Sequence, residues 1–229
     1  MKLSTKPKLL IFDVNETLLD MSPLKQSINK ALKNEWAFEI WFPSLLQYSL
    51  VETITENYRD FSEIAGASLK MIAHKLGVQL SEEEVKKVLS PITKLSAYPE
   101  VAKSLEILKK NGFKLVALSN GKPQVVDDQL KHAKIHHFFD KVLSIEEVKN
   151  YKPHISTYHC AYSSMNILPE DSMLIAAHGW DIAGAKRAGI NAAFISRPGK
   201  SLYPLALPPE ITGSSLAEIT NSLIATSNS

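Results

Sequence analysis

The sequence predicts an α/β protein: a doubly wound parallel sheet in a Rossmann-like core, with a helical cap domain inserted after the first strand. Three observations predict it. Short apolar runs without a polar face recur along the chain, as strands buried on both faces of a parallel sheet require. Helical periods separate these runs, so strand and helix alternate. One long stretch, from about Ser22 to Ser96, breaks the alternation and carries helical periodicity throughout.

The first run is Leu9-Leu10-Ile11-Phe12, bounded by Pro7 and Asp13. In the helical stretch, Leu24, Ile28, Ala31 and Leu32 form one stripe and Leu69, Ile72, Ala73 and Leu76 another. Ser81 and Glu84 form a capping box ahead of Val85, Val88 and Leu89. The core is thus expected to comprise residues 1–19 and 97–229, and the cap residues 20–96. After the cap, Val101, Leu105 and Leu108 repeat on one helical face until Asn111-Gly112 stops the helix. Further strands are expected at Phe113 to Leu118, Met173 to Ala177 and Ala192 to Ile195. A helix after Lys152-Pro153 should bury Ile155, Tyr158, Tyr162 and Met165. The tail holds Pro204, Pro208 and Pro209, a short amphipathic helix around Leu216 to Ile224, and a Ser/Asn end expected to fray.

Composition narrows the function classes. At 229 residues, 45% apolar and 22% charged, the chain suits a globular protein with a main domain and a smaller one. Lys plus Arg at 26 against Asp plus Glu at 24 gives a net charge of +2, dispersed along the chain, which argues against a nucleic-acid partner. Only Arg59, Arg187 and Arg197 are arginines, so planar anion clamps are scarce. The single cysteine, Cys160, excludes an intramolecular disulfide, suits a reducing compartment and reads as a small buried residue on a helix. The apolar run after the basic Met1 to Lys8 is too short for a signal peptide or a membrane span. A cytoplasmic protein without a membrane partner is expected, and a homodimer is its base-rate assembly.

The residues able to do chemistry collect at the ends of the apolar runs: Asp13, Ser119-Asn120-Gly121, Lys152-Pro153 and His178-Gly179-Trp180-Asp181. Ligands of open parallel sheets bind outside the carboxyl ends of the strands. The first, second and fourth features should therefore face one crevice, which Lys152 joins if its loop lies on that side. A carboxylate directly after a strand serves as a turn or cap residue in many proteins. As a nucleophile it needs a cation to keep it ionised and donors for the charge that develops. Thr17, Ser119, Asn120 and Asp181 each have an ordinary capping or turn reading as well, Tyr158 a core one and His178 a structural one.

Ile11-Phe12-Asp13-Val14-Asn15-Glu16-Thr17-Leu18-Leu19-Asp20 resembles the first motif of the haloacid dehalogenase superfamily. Ser119-Asn120-Gly121 resembles its second motif, Tyr151-Lys152-Pro153 its third, and Trp180-Asp181 the end of its fourth, in the family's order and spanning about residues 8 to 197. The chain is most similar to the two-domain L-2-haloacid dehalogenases, whose helical cap sits where residues 20 to 95 lie here. The resemblance implies Asp13 as nucleophile, Thr17 bonding its carboxylate, and Ser119 and Asn120 binding or orienting the substrate carboxylate. It implies Lys152 holding Asp13 ionised, and Asp181 pairing with Lys152 or activating the hydrolytic water. Asn15, Phe42, Tyr158, His178 and Trp180 are the further residues expected at the substrate. A small acid is the implied substrate, with no cofactor and no metal.

The departures from the pattern discriminate between activities. Asn15 stands where superfamily phosphatases carry a second Asp, and an amide cannot do that residue's acid–base work. The fourth motif offers one carboxylate where a magnesium site draws on several. Ile40-Trp41-Phe42-Pro43 places Phe42 where dehalogenases carry a cap arginine, and Ala176 and His178 replace the Ser and Asn of their fourth motif. Three readings stay open on sequence: a dehalogenase-like hydrolase acting through an Asp13 ester, a phosphatase or phosphotransferase forming an aspartyl-phosphate, and a binding protein with an eroded site. The cap aromatics Trp36, Phe38, Trp41, Phe42 and Tyr48 suit either a lid or plain cap-to-core packing.

Overall fold

The computed structural model describes residues 6–225. Its strands are β1 (Leu9–Phe12), β2 (Lys114–Ser119), β3 (Lys141–Ser144), β4 (Ser172–Ala176), β5 (Asn191–Ile195) and β6 (Ile211–Gly213). They form one parallel sheet in the order β3-β2-β1-β4-β5-β6. Ile11 lies level with Val116 on one side and Leu174 on the other. Every residue of β1 and β4 is buried, which explains why these runs lack a polar alternation.

Four helices, α1 (Ser22–Ala31), α2 (Ala37–Ile54), α3 (Phe61–Lys75) and α4 (Glu82–Leu89), lie between β1 and β2, ahead of α5 (Val101–Lys110). The remaining helices are α6 (Pro123–His132), α7 (Ile155–Ser163), α8 (Gly179–Arg187) and α9 (Leu216–Ala225). Leu9 and Ile11 pack with Tyr158, Ala161, Ile182 and Ala185 from α7 and α8. Leu10 and Phe12 join the larger apolar cluster, which continues through α5, α6 and α9 into the inserted helices. The capping box forms as read: Ser81 Oγ accepts from Glu84 N (3.2 Å) and Glu84 Oε2 from Ser81 N (2.8 Å). The chain enters and leaves the inserted helices side by side, with Asp20 N donating to Ser96 O (2.9 Å) and Tyr98 N to Leu18 O (3.0 Å).

Several elements differ from expectation. Strands β3 and β6 were not anticipated, because at the sheet edges they have four and three residues, too few to show a period. Ile155 is 45% exposed, and α7 instead buries Thr157, Tyr158 and Ala161. Trp36 points to solvent at 63% exposure, while Phe38 and Trp41 are buried. Cys160 is half-buried rather than buried, its thiol donating to Glu147 Oε2 at 3.5 Å. Met1 to Thr5 and the Ser/Asn end expected to fray lie outside the described residues. Among the described residues, no helix is long and apolar enough to cross a membrane.

Candidate active site

The sheet order reverses at β1, whose neighbours β2 and β4 connect outward in opposite directions, so a crevice opens beyond their carboxyl ends. Asp13 leaves β1 into this crevice, held by its N–H bond to Ile175 O (3.1 Å). Ser119 ends β2 and Asn120 follows it, while His178, Trp180 and Asp181 follow β4 at the start of α8. The Lys152 loop reaches the same side because Asn120 Oδ1 accepts from Lys152 N at 3.0 Å.

Both oxygens of Asp13 are occupied. Oδ1 accepts from Lys152 Nζ at 2.8 Å; Oδ2 accepts from Thr17 Oγ1 at 2.6 Å and from His178 Nδ1 at 3.0 Å. Thr17 is held in turn by Ala177 N, which donates to its hydroxyl oxygen at 2.9 Å, and by Arg197 Nη2, which donates to its carbonyl at 2.9 Å. Lys152 bridges to Asp181 Oδ2, also at 2.8 Å, and the Tyr158 hydroxyl donates to Asp181 Oδ1. Tyr158 was expected against the substrate; it is fully buried behind Asp181, so it braces that carboxylate. Gly184 makes this packing fit, since a Cβ there would lie 2.5 Å from the Tyr158 hydroxyl and from Pro153 Cβ.

Glu16 was missed among the site residues. His178 Nε2 contacts Glu16 Oε2 at 2.9 Å, and Lys200 Nζ holds the same oxygen at 2.5 Å. Its position inside the first motif was the available signal. Its partners lie more than 160 residues away, which no local pattern discloses. Gly179 lets the segment carrying Lys200 approach, because a Cβ there would meet Ser201 O at 2.5 Å. Three carboxylates, Asp13, Glu16 and Asp181, thus face three cations, Lys152, His178 and Lys200.

Burial sets the ionisation of this cluster as strongly as charge does. Burial pushes the Asp13 carboxyl up, but Lys152 and His178 together outweigh it and hold it far below the usual carboxylate range. Burial disfavours the His178 imidazolium, yet its bonds to Asp13 and Glu16 raise it to about 9. Burial raises Asp181, which Lys152 only partly offsets, and the two carboxylates keep Lys152 protonated above its ordinary value despite burial.

A raised histidine pKa stabilises the fold fully below its unfolded value, about 6.5, and that contribution fades as pH rises through about 9. Unfolding free energy measured in urea should therefore fall between pH 6.5 and 9, and His178→Asn should flatten that window. An equally steep fall in the variant would show that His178 is not the group responsible.

Asp13, Asn15, Phe42, Ser119, Asn120, Lys152, His178 and Trp180 converge on one small cavity of about 20 Å³, which Leu46 and Phe61 of the inserted helices also line. Trp180 stacks on His178 with ring centroids 5.1 Å apart, and Phe42 approaches the same imidazole at 5.9 Å. Asn15 Oδ1 accepts from Gln129 Nε2 at 3.0 Å. Among the described residues, no group of three or more His, Cys, Asp or Glu side chains is arranged to hold a metal ion. The arrangement offers an ionised, desolvated carboxylate flanked by donors, the set a covalent nucleophile requires.

The chain is similar to known proteins in sequence and in fold. (S)-2-haloacid dehalogenase 4A of Burkholderia cepacia is 28% identical over 215 residues, 93% of this chain and 90% of that protein. (S)-2-haloacid dehalogenase 1 of Pseudomonas sp. (strain CBS-3) is 28% identical over 216 residues, covering 93% and 95%. The structure of the L-2-haloacid dehalogenase from Xanthobacter autotrophicus with chloropropionic acid covalently bound superposes with a TM-score of 0.87 at 21% identity, over 94% of this chain and 97% of that one. Residues 10–195, from β1 to the end of β5 and so including Asp13, Ser119, Lys152 and Asp181, match the haloacid dehalogenase-like hydrolases, and the chain belongs to that family.

Proposed function

We propose that the protein hydrolyses small 2-halo acids by displacement at carbon, through an ester on Asp13. One observation carries the reading: His178, on the fourth-motif turn where a magnesium site would need carboxylate oxygens, sets its imidazole 3.0 Å from the buried Asp13 carboxylate. The haloacid activity of the relatives supports the substrate class. Asn15, unable to act as the second acid–base carboxylate, weighs against a phosphatase.

In the proposed reaction the substrate carboxylate lies against Ser119 and Asn120, with Trp180 and Phe42 walling the carbon skeleton. Asp13 attacks C2 as the carbon–halogen bond breaks, and the halide departs with that bonding pair beside Asn15 and the Phe42 ring. Esterification removes the charge on Asp13 that helps keep His178 protonated, so His178 releases its proton to solvent. The neutral imidazole, oriented by Glu16, then takes a proton from water. The resulting hydroxide attacks the Asp13 ester carbonyl, returning the carboxylate, the imidazolium and a 2-hydroxy acid. Residues 20–96 serve as the cap and 1–19 with 97–229 as the core, hinged at the paired chain crossings. The cavity of about 20 Å³ holds about one water molecule, so substrate entry requires the cap to move.

The direct test is halide release from 2-bromopropionate and 2-chloropropionate with excess chelator present. Release that survives chelation supports the reading. No halide from any small 2-halo acid, with magnesium-dependent phosphate release from a phosphate monoester, would replace it with phosphoryl transfer. His178→Gln should still form the ester, giving a burst of halide equal to the enzyme concentration and a steady state slowed by about 10²–10⁴-fold, the usual weight of a general base. A variant slowed without a burst would place His178 in the displacement step instead.

A further inference from the structure

A second cavity of about 90 Å³ adjoins the Asp13 pocket between the inserted helices and α6. Apolar residues, Met21, Leu24, Trp41, Leu45, Ile92 and Val125 among them, form most of its wall, and no charged side chain lines it. Asn15, Phe42 and Phe61 line both spaces, so they form the partition between them. Gln129 also borders the chamber, but its amide donates to Asn15 Oδ1 (3.0 Å) and to Ile92 O (2.9 Å). Apolar cavities of this kind stay dry and take up apolar groups. An apolar chamber that shares a wall with the Asp13 pocket therefore has a definite chemistry to offer.

We propose that this chamber is a chain pocket, receiving an unbranched aliphatic segment carried on C2 of the substrate while the carboxylate and C2 remain at Asp13. By proportion to the ~150 Å³ cavity that takes a benzene ring, its volume suits a chain of about three or four carbons. Phe42 makes the passage favourable: an aromatic ring at the partition lets a chain pass without stripping water from a charge. The proposal rests on the haloacid reading and extends it from the smallest acids to those of medium chain length.

The test is a chain-length series from 2-bromopropionate through 2-bromohexanoate to 2-bromodecanoate. kcat/KM should rise about fourfold per methylene, in line with the transfer of one buried methylene, and should fall once the chain outgrows the chamber. Val125→Phe on α6 and, from the facing wall, Ala65→Leu on α3 should each lower the hexanoate-to-propionate ratio of kcat/KM by at least tenfold. Because a ratio is read, a general loss of activity does not mimic the effect. Calorimetric binding of hexanoate and propionate to Asp13→Asn measures the same preference without turnover, and hexanoate should bind at least tenfold tighter. A flat series, or ratios unchanged in both filled variants, overturns the chain pocket and leaves the haloacid reading standing. Absence of halide at every chain length overturns the haloacid reading instead. The pocket is then decided by binding alone: tighter hexanoate supports it and equal affinity ends it.

Discussion

Asp13→Asn should lower turnover on the order of 10⁴-fold or more, since the substitution removes the proposed nucleophile while conserving volume. The fold should persist. Lys152 keeps Asp181 as a partner at 2.8 Å, and the introduced amide would still accept from Thr17 through its oxygen. A single turnover by wild-type enzyme in ¹⁸O-water should leave the label in Asp13, readable by mass spectrometry of the peptide that carries it, because hydroxide attacks the ester carbonyl. Residual activity above a tenth of wild type on the true substrate, or label appearing only in the hydroxy acid, would show that Asp13 is not the attacking group.

Lys152→Met should be almost as damaging, with kcat/KM reduced about 10³-fold and the fold destabilised by about 3–5 kcal/mol, because one partner of a buried charge network is lost. Asp13 and Asp181 would then face each other without the ammonium between them, and the Asp13 carboxyl would rise from its depressed value. A depressed carboxylate contributes stability that is present above its unfolded value, about 3.9, and is lost as pH falls through the lower folded value. In the variant that loss should be smaller and complete at a higher pH, and the acid limb of kcat/KM against pH should move toward neutrality. An unmoved acid limb, together with unchanged urea stability at pH 7, would mean that Lys152 does not set the ionisation of Asp13.

Much of the site was legible because a parallel sheet delivers its strand ends to one edge. Once Leu9–Phe12 and the runs near residues 114 and 173 are read as neighbouring parallel strands, Asp13, Ser119, Asn120 and the His178–Asp181 segment must meet. The inserted helices were readable from their stripes and from the Ser81–Glu84 box, both local patterns. Leu46 and Phe61, which complete the pocket from the inserted helices, carry no such mark, because an apolar residue facing a cavity has the same sequence signature as one facing the core.

The sequence by itself determined the doubly wound core, the inserted helices and the chemical types available at the strand ends. The physical reason is that burial patterns, caps and strand termini act over a few residues. Only the tertiary structure decided how those types are used. It set the Lys152 ammonium between Asp13 and Asp181, turned Tyr158 behind Asp181, and joined His178 to Glu16 and Lys200. Ionisation in a desolvated cluster depends on charges within a few ångströms in space, whatever their separation along the chain. Lys152 lies 139 residues from Asp13, and His178 lies 165 from it. That distance along the chain is why His178 reads as structural in the sequence, although the fold sets it 3.0 Å from Asp13.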